Sequence, residues 1–365
     1  MTFFSIAIPV FGQQKYIPTA LKSIQAQNVE YELAVMDATY DNSVQVILDQ
    51  YSDIITYRRH GPDGGQSEAI IEGWDNTNGE VLAWLCADDY YFPDTLLLVQ
   101  EIFERSPDVD VVYGDSVYVD SSDCFKSYFP SIERDLSCLP IHDCIAQPSC
   151  FVRRKAFERV GGLNKDLCFI MDWDLWTRLY KSGATFRYIH KPLSVTRIYP
   201  ETKTSAMSLE RYREINAHLK QHASLLQRIR ALIGTIQQSL SENDRSLLMN
   251  IVFTMINISQ RIKNLVFPCK SKNLYGMEIK GNYVYDSCSI SLPWYDTKPP
   301  KYAVLTTHHN ISATLFLDGN PLVLQKSNDE QLFLLPSLLG NELKITWNFE
   351  IYVEQPTRLM SFKLV

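Results

Sequence analysis

The sequence lacks several features that would place it in other classes of protein. No stretch of the 365 residues reaches the roughly 18 consecutive apolar residues needed to span a bilayer, so any membrane contact is expected from the surface. The eight cysteines form neither CxxC pairs nor zinc-ligand spacings, and several lie in apolar runs, which is typical of buried free thiols in a reducing cytosol. The net charge of −7 argues against a nucleic-acid-binding protein.

The amino-acid composition indicates a globular protein, and the expected location is the cytosol. The apolar fraction of 45% provides material for more than one core, and the length favours two or three units. The first residues, MTFFSIAIPVFGQQ, are apolar but contain no basic segment and no small-residue cleavage site. They therefore predict a first strand and not a signal peptide.

The first 115 residues alternate between short apolar runs and segments of helical spacing. This alternation predicts βαβ units in a mostly parallel sheet, with ligands at the carboxyl ends of its strands. The predicted strands are Phe3–Val10, Tyr31–Asp37, Ile54–Arg58, Glu80–Leu85 and Val109–Tyr113, and the predicted helices are Tyr16–Gln27, Ser43–Tyr51, Ser67–Asn76 and Asp94–Ser106. Residues 121–143 are irregular and predict a loop over the site, whereas 156–160 and 172–182 predict helices.

The remaining sequence predicts two further units, so the expected domains are 1–205, 206–272 and 273–365. Residues 206–272 are helical in pattern and carry ten Lys/Arg against four Asp/Glu. This basic segment is interpreted either as a surface for an anionic membrane or as a hairpin that packs on the first domain or on a second subunit of a homo-oligomer. Its basic side chains include Arg228, Arg230, Arg261 and Lys263.

Residues 273–365 contain short strands separated by turn signals, which predicts a small β-sandwich. Trp294, Tyr295 and Trp347 would be available for stacking on sugars. Strand cores need aromatic residues as well, so both a carbohydrate-binding module and a structural or oligomerisation unit remain open.

The most informative feature is the pair Asp88–Asp89, which follows the apolar run Val81–Leu85. Burying unpaired carboxylates is costly, and a divalent cation removes that cost. Carboxylate oxygens together with substrate phosphates are the usual ligands of Mg²⁺ or Mn²⁺. The alternative interpretation is a solvated turn before the helix that begins near Pro93.

Five segments in order give the first 200 residues a resemblance to the family 2 glycosyltransferases, which have the GT-A fold. The segments are IAIPVFGQQKYIPTALKSIQAQ, ELAVMDATYDNS, GPDGGQSEAIIEGW, GEVLAWLCADDYYFPDTL and VGGLNKDLCFIMDWDLWTRL. The resemblance implies an inverting enzyme that moves a sugar from a nucleoside-diphosphate donor of the UDP or dTDP type to a hydroxyl of a glycan or lipid-linked acceptor. We therefore expect a role in cell-surface polysaccharide or glycan assembly. The expected location is the cytosol or the inner face of the membrane.

The same resemblance implies roles for individual residues. Asp172 is the expected catalytic base, since a sugar hydroxyl is a weak acid that needs a positioned proton acceptor. Asp89 is expected to bind the metal, and Gln147 and Trp173, with Arg153, are expected on the acceptor side. The donor is expected to meet Pro9, Val10, Phe11, Asp37, Gln66, Asp88 and Arg197, with Asp115 near its sugar.

Three departures from the family pattern and three rival functions accompany this interpretation. The segment after Asp37 is one residue short and contains Tyr40, Met171 stands where Glu is usual, and Tyr199 stands where His is usual. The rivals are a non-catalytic sugar-binding protein, a nucleotidyltransferase and a dehydrogenase. The second would be expected to carry a GxGxR-like loop after the first strand, and the third a GxGxxG motif, and neither is found.

Overall fold

The computed structural model describes residues 2–129, 131, 136–203, 208–225, 227–228, 273–275, 277–278, 283–284, 287–295, 299–307, 313–326, 330–336, 346–353, 355 and 357–365. The helices are α1 Ile17–Gln25, α2 Ser43–Leu48, α3 Gln66–Asp75, α4 Thr95–Arg105, α5 Arg154–Arg159, α6 Met171–Lys181 and α7 Leu209–His222. The strands of the first 200 residues are β1 Phe4–Val10, β2 Tyr31–Asp37, β3 Tyr57–His60, β4 Val81–Trp84, β5 Tyr90–Tyr91, β6 Val111–Val119, β7 Phe125–Tyr128, β8 Cys150–Arg153 and β9 Phe186–Arg197.

The central sheet of the first 200 residues is mainly parallel. Its order is β3-β2-β1-β4-β8-β6, in which β1 to β4 run parallel and β8 is antiparallel to its neighbours, while β9 runs parallel to β6. The register aligns Val10 with Asp37 and Asp37 with His60, so three strands end at one edge. The predicted α/β class is therefore confirmed.

The sheet is buried between helices because its strands are apolar on both faces. β1, with the sequence FSIAIPV, is buried along almost its whole length, as expected for a parallel strand with helices on both sides. Gly73 of α3 allows one helix to approach closely, since a Cβ there would lie 3.1 Å from Cβ of Ala34 and 3.2 Å from Cβ of Ala7. Helix α3 is thereby held against the middle of the sheet.

The prediction that 121–143 is an irregular loop is wrong for β7. Phe125 and Tyr128 of this strand are buried, and β7 pairs with β6 on one side and with a C-terminal strand on the other. The second of these partners, β20, is distant in sequence and leaves no local pattern in 121–143.

The C-terminal part consists of short antiparallel strands. They are β10 Asn273–Leu274, β11 Met277–Glu278, β12 Tyr283–Val284, β13 Ser287–Pro293, β14 Tyr302–Thr307, β15 Ala313–Leu317, β16 Asn320–Pro321, β17 Val323–Lys326, β18 Gln331–Leu334, β19 Thr346–Val353 and β20 Thr357–Leu364. Strands β13, β19, β15 and β16 form a separate sheet, in agreement with the predicted all-β region. The other strands join the central sheet where Phe362 of β20 pairs with Phe125 of β7.

The two halves of the chain share one apolar cluster. Val117, Phe125 and Val195 from the first half pack in the same cluster as Phe349 and Phe362 from the second. Trp347 also belongs to this cluster. Because it is 1% exposed, its ring is part of the core and is not available for stacking on a sugar. The C-terminal strands therefore rest on β6, β7 and β9, next to the strands that carry the site.

Of the basic segment 206–272, the structure describes α7 and the few residues that follow it. Arg230, Arg261 and Lys263 lie outside the described residues. Ile215 and Leu219 of α7 pack against α6 through Ile170 and Trp173. Among the described residues, no helix is both long and apolar enough to cross a membrane.

Candidate active site

The Asp88–Asp89 pair lies in a turn that follows β4 at the carboxyl edge of the sheet. Asp89 is 5% exposed, and its Oδ1 accepts a hydrogen bond of 3.1 Å from the backbone N–H of Arg197. The next residues form β5, in which Tyr90 pairs with Val195 of β9. The turn is thus held between β4 and the end of β9.

The electrostatics of this turn show why a cation would bind there. Burial raises the pKa of Asp89 well above its usual value, and the neighbouring charge of Asp88 raises it further. The Cys86 sulfur and the two carboxylates have ligand atoms within 4.8 Å of one another. Burial, followed by the charges of Asp89 and Asp88, raises the pKa of the Cys86 thiol. The two carboxylate groups are ligands of the kind that Mg²⁺ or Mn²⁺ prefers.

Arg197 lies beneath the carboxylate turn and braces it. The residue is 3% exposed, and its Nη1 donates a 2.6 Å hydrogen bond to the backbone carbonyl of Asp88. Its guanidinium also contacts Asp123 Oδ1 at 2.9 Å and lies between the rings of Tyr16 and Tyr90, at 4.9 and 4.6 Å. Arg197 is thus buried among protein partners. Asp123, which the sequence did not single out, completes this brace.

Tyr199 binds the carboxylate turn from the side that faces Tyr16. Its hydroxyl donates a 2.8 Å hydrogen bond to Oδ2 of Asp88, and its ring lies 5.2 Å from the ring of Tyr16. The residue that replaces the usual histidine is therefore in contact with the carboxylate pair.

Asp37 ends β2 with a carboxylate that accepts three hydrogen bonds from the protein. The side chain is fully buried and accepts hydrogen bonds from the N–H of Thr39 at 2.9 Å, from Nε2 of Gln45 at 2.7 Å and from Nδ1 of His60 at 2.9 Å. These bonds fix the loop that follows β2. His60 was not identified from the sequence, although the strand register places it beside Asp37.

Two exposed aromatic rings stand beside Asp37 at the end of β1. Phe11 is 57% exposed and Tyr40 is 91% exposed, and their ring centroids are 5.4 Å apart in an edge-to-face arrangement. Pro9 and Val10 precede Phe11, and the carbonyl of Val10 accepts a 2.9 Å hydrogen bond from Ala38. An exposed aromatic pair beside a strand end offers a flat apolar face to a ligand.

Gln66, Gln147 and Lys203 surround the Cys86 side of the site. Gln66 Nε2 donates to Cys86 Sγ at 3.4 Å, and its Oε1 accepts a 2.8 Å hydrogen bond from Lys203 Nζ. Gln147 Nε2 donates to the carbonyl of Trp84 at 2.7 Å, and its Oε1 lies 3.6 Å from Cys86 Sγ. Lys203 is exposed and brings a positive charge to the site, and no local sequence signal marked it.

Asp172 and Asp174 begin α6 and point in different directions, as two helix residues spaced by two should. Burial raises the pKa of Asp172, whose Oδ1 accepts a 2.8 Å hydrogen bond from the N–H of Trp173. Asp174 instead lies on the side of α6 that faces α7. Its Oδ2 pairs with Nε of Arg178, one turn further along α6, at 2.8 Å. Burial, followed by the charge of Asp172, raises the pKa of Asp143 well above its usual value, so Asp143 is a second acid beside Asp172 that the sequence did not reveal.

Three residues of the sequence-based interpretation have protein partners other than the Asp88–Asp89 turn. Trp173 is 7% exposed, donates from Nε1 to the carbonyl of Leu139 and packs 4.5 Å from the ring of His218. Arg153 pairs with Val81 at the start of β4, which is the opposite edge of the sheet from Asp88–Asp89. Asp115 is fully buried, and its two oxygens accept hydrogen bonds from Tyr188 at 2.6 Å and Tyr275 at 2.8 Å.

Comparisons with known proteins find similarity to glycosyltransferases. Residues 5–161 match the model of glycosyl transferase family 2. An uncharacterized glycosyltransferase of Rickettsia conorii is 30% identical over 196 residues, which is 49% of this chain and 32% of that protein. One of Rickettsia prowazekii is 27% identical over 224 residues, 58% of this chain and 69% of that protein. The chain thus spans about a third of the length of the first relative and about two thirds of the second.

Solved structures with similar backbones were also found. Staphylococcus aureus TarS 1–349 in complex with UDP has a TM-score of 0.49 at 17% identity, covering 66% of this chain and 72% of that one. The mannosyltransferase PcManGT from Pyrobaculum calidifontis, in complex with GDP-Man and Mn²⁺, has a TM-score of 0.42 at 16% identity, covering 73% and 71%. The matched residues 5–161 include the Asp88–Asp89 turn and the strand β4 that precedes it, so the part of the chain that is similar to family 2 glycosyl transferases contains the carboxylate turn of the candidate site.

Proposed function

We propose that the protein is a metal-dependent glycosyltransferase that moves a sugar from a nucleoside-diphosphate donor to an acceptor hydroxyl with inversion. The observation that carries this proposal is the Asp88–Asp89 pair at the carboxyl edge of the central sheet, where Asp89 is buried and its pKa is raised by burial and by the charge of Asp88 despite the opposing effect of Arg197. A divalent cation, which also binds phosphates, would offset the charge of the two carboxylates.

The donor would bind across the ends of β1, β2 and β4. Asp89, with Asp88 beside it, would hold Mg²⁺ or Mn²⁺, which when bound neutralises charge on the departing diphosphate. The base of a UDP- or dTDP-type donor would lie against the rings of Phe11 and Tyr40, next to the backbone of Pro9 and Val10. Asp37 would act by holding Thr39 and His60 in place, because both of its oxygens accept hydrogen bonds from this loop and strand and its side chain is fully buried.

The cation that meets the diphosphate would be Lys203. Its ammonium group lies on Gln66 at the Cys86 side of the site and belongs to an exposed side chain that can move to a phosphate oxygen. Arg197, by contrast, would stabilise the diphosphate site indirectly, since its guanidinium is committed to Asp123 and the Asp88 carbonyl.

Asp172 would remove the proton from the acceptor hydroxyl. A raised pKa suits a carboxylate to this task, because proton transfer is more effective when the base is not too weak. The hydroxyl would attack the anomeric carbon on the face opposite the leaving diphosphate, which inverts the configuration. Gln147, beside Cys86, would line the acceptor side.

The acceptor would be a glycan or a lipid-linked sugar in cell-surface polysaccharide or glycan assembly. The excess of basic residues in 206–272 supports an approach of the protein to the anionic inner face of the membrane from the cytosol. Packing of this segment on a second copy of the chain is the competing arrangement, and liposome flotation in parallel with a measurement of solution mass separates the two.

The transferase proposal is tested by incubating the protein with individual UDP- and dTDP-sugars and Mn²⁺ and measuring release of nucleoside diphosphate. We expect slow release with at least one donor, loss of release with EDTA and faster release with the correct acceptor. Absence of release with every donor would contradict the proposal. Binding of a donor can be detected independently as a rise in melting temperature.

A further inference from the structure

A second group of potential metal ligands lies between α6 and α7, on side chains that the proposed transferase reaction does not use. Asp174 of α6 faces His218 and His222, which are one turn apart on α7. Their ligand atoms lie within 4.8 Å of one another. The three side chains are 8%, 2% and 6% exposed, respectively, so this is a buried cluster between two helices.

Two of the imidazole nitrogens in this cluster are buried without a hydrogen-bond partner. They are Nδ1 of His218 and Nε2 of His222. Both are directed at Oδ1 of Asp174, at 3.9 and 4.0 Å, which is too long for a hydrogen bond. Buried polar nitrogens are normally satisfied, so two around one carboxylate oxygen require an explanation.

Thr177 lies on the far side of the His218 ring from Asp174. Its Oγ1 donates to the carbonyl of Leu139 at 3.2 Å and lies 3.4 Å from Nε2 of His218, so its oxygen can accept a hydrogen bond from that nitrogen. A proton on Nε2 of the neutral ring leaves a lone pair on Nδ1, facing the carboxylate. Metal-binding histidines are commonly oriented in this way, by a hydrogen bond from the second ring nitrogen.

The second ring nitrogen of His222 contacts a lysine at the edge of the cluster. Lys181 Nζ lies 2.9 Å from Nδ1 of His222 and 3.4 Å from its carbonyl oxygen. Binding of a metal at Nε2 would move the ring proton to Nδ1, and the exposed lysine would then shift to that carbonyl.

We propose that Asp174, His218 and His222 form a binding site for a zinc-class transition metal that joins α7 to α6. Two imidazole nitrogens and one carboxylate oxygen match zinc better than the magnesium or manganese assigned to Asp89. Ligand bonds of about 2 Å place neighbouring ligand atoms roughly 3.3 Å apart in tetrahedral geometry. Side-chain movements of about half an ångström would therefore close the site.

Such a metal would help to position α6, the helix that carries the proposed base Asp172. Glu214 of α7 accepts hydrogen bonds from the N–H groups of Cys168 and Phe169 at 2.8 Å, and so holds the segment that leads into α6. The metal would attach α7 to α6 a second time, at Asp174. The two attachments lie on either side of Asp172 in the sequence.

The site is tested by titrating chelator-treated protein with Co²⁺, followed by its visible absorption, and by measuring bound zinc by mass spectrometry after dialysis. We expect one zinc per chain in the wild type and in Asp89→Asn, which separates this site from the donor site and from transferase activity. His222→Asn should weaken zinc binding by more than the roughly 10- to 100-fold that loss of an outer-shell partner costs. His142→Asn, at an exposed histidine outside the cluster, is the matched control.

Lys181→Met provides a variant in which all three ligands remain. Removal of its charge and of its hydrogen bond to His222 should tighten zinc binding, with the helical content unchanged by circular dichroism. Wild-type protein that retains no zinc, zinc binding by His222→Asn equal to that of wild type, or unchanged or weaker binding by Lys181→Met would each overturn the proposal.

Discussion

The backbone N–H of Arg197 donates to Oδ1 of Asp89 across 3.1 Å, while the side chain of the same arginine binds the carbonyl of Asp88. One residue at the end of β9 thus fixes both members of the carboxylate pair, although it lies 108 positions further along the chain. The position of the pair depends on long-range pairing as much as on the turn that follows β4.

Asp89→Asn should abolish metal-dependent release of nucleoside diphosphate and leave the fold intact. The amide has the shape of the carboxylate but not its charge, so the buried repulsion with Asp88 is removed together with the proposed metal ligand. Activity with each donor and the melting temperature in EDTA are the measurements. Asp108→Asn, at an exposed acid, should leave both unchanged. Full activity of Asp89→Asn would argue that the pair is only a solvated turn.

Arg197→Lys should destabilise the protein and weaken its use of Mn²⁺. A lysine retains the charge but cannot contact Asp123 and the Asp88 carbonyl together, and loss of hydrogen bonds by a buried charged group costs about 1–3 kcal/mol. We expect a lower midpoint of urea unfolding and a higher Mn²⁺ concentration for half-maximal activity. Because Asp123 is half exposed, Asp123→Asn should cost less than Arg197→Lys. The reverse order would contradict the bracing role of the arginine.

Asp172→Asn and Asp143→Asn should have different effects on activity, although both acids lie near the start of α6. Loss of the proposed base should lower kcat by about 10²- to 10⁴-fold while donor binding persists. Since no step of the proposed reaction uses Asp143, Asp143→Asn should retain most activity. Steady-state kinetics of both variants, with donor binding measured by thermal shift, give the comparison. Equal losses of kcat in the two variants would contradict the assignment of Asp172, and not Asp143, as the base.

Asp143 should also make stability depend on pH. Its pKa is raised in the folded protein, so the folded state holds an additional proton between the unfolded and folded pKa values. The contribution of Asp143 to the free energy of unfolding should therefore be fully present below the unfolded pKa and be lost as pH rises through the folded pKa. Asp143→Asn should reduce this decline, measured by unfolding in EDTA from acid to neutral pH. An unchanged pH profile would mean that the folded pKa of Asp143 is not raised.

Lys203→Met should raise KM for the donor without a comparable loss of stability. One charge-assisted hydrogen bond to a phosphate contributes about 1.5–3 kcal/mol, which corresponds to roughly 10- to 100-fold in KM. Initial rates over a range of donor concentrations provide the test. Lys165→Met is the control, since this exposed lysine faces Glu68 at 3.8 Å on the protein surface. A KM equal to that of the wild type would exclude Lys203 from the donor site.

The sequence predicts the elements around the site where burial leaves a local pattern. β2 begins and ends at the predicted residues, Tyr31 and Asp37, because a strand covered on both faces reads as a continuous apolar run. The Asp88–Asp89 turn was equally visible, since charges directly after such a run contrast with it.

Other parts of the site depend on contacts that no short window of sequence contains. Asp123 meets Arg197 and Lys203 meets Gln66 across long stretches of chain, and His60 reaches Asp37 only through the strand register. The composition of the 121–143 segment resembles a loop, yet β7 forms there because β20 supplies an apolar partner surface. Trp173 could not be assigned to a surface or a core until α7 was seen to cover it.

The pairing of β7 with β20 has a consequence for anyone who produces the protein in fragments. A chain cut after residue 205, at the boundary that composition predicts, would leave Val117, Phe125 and Val195 facing water, because the C-terminal strands that cover them would be missing. An exposed strand with an apolar face is a site for aggregation. The catalytic half is therefore expected to be recovered in soluble form only when its C-terminal strands are expressed with it.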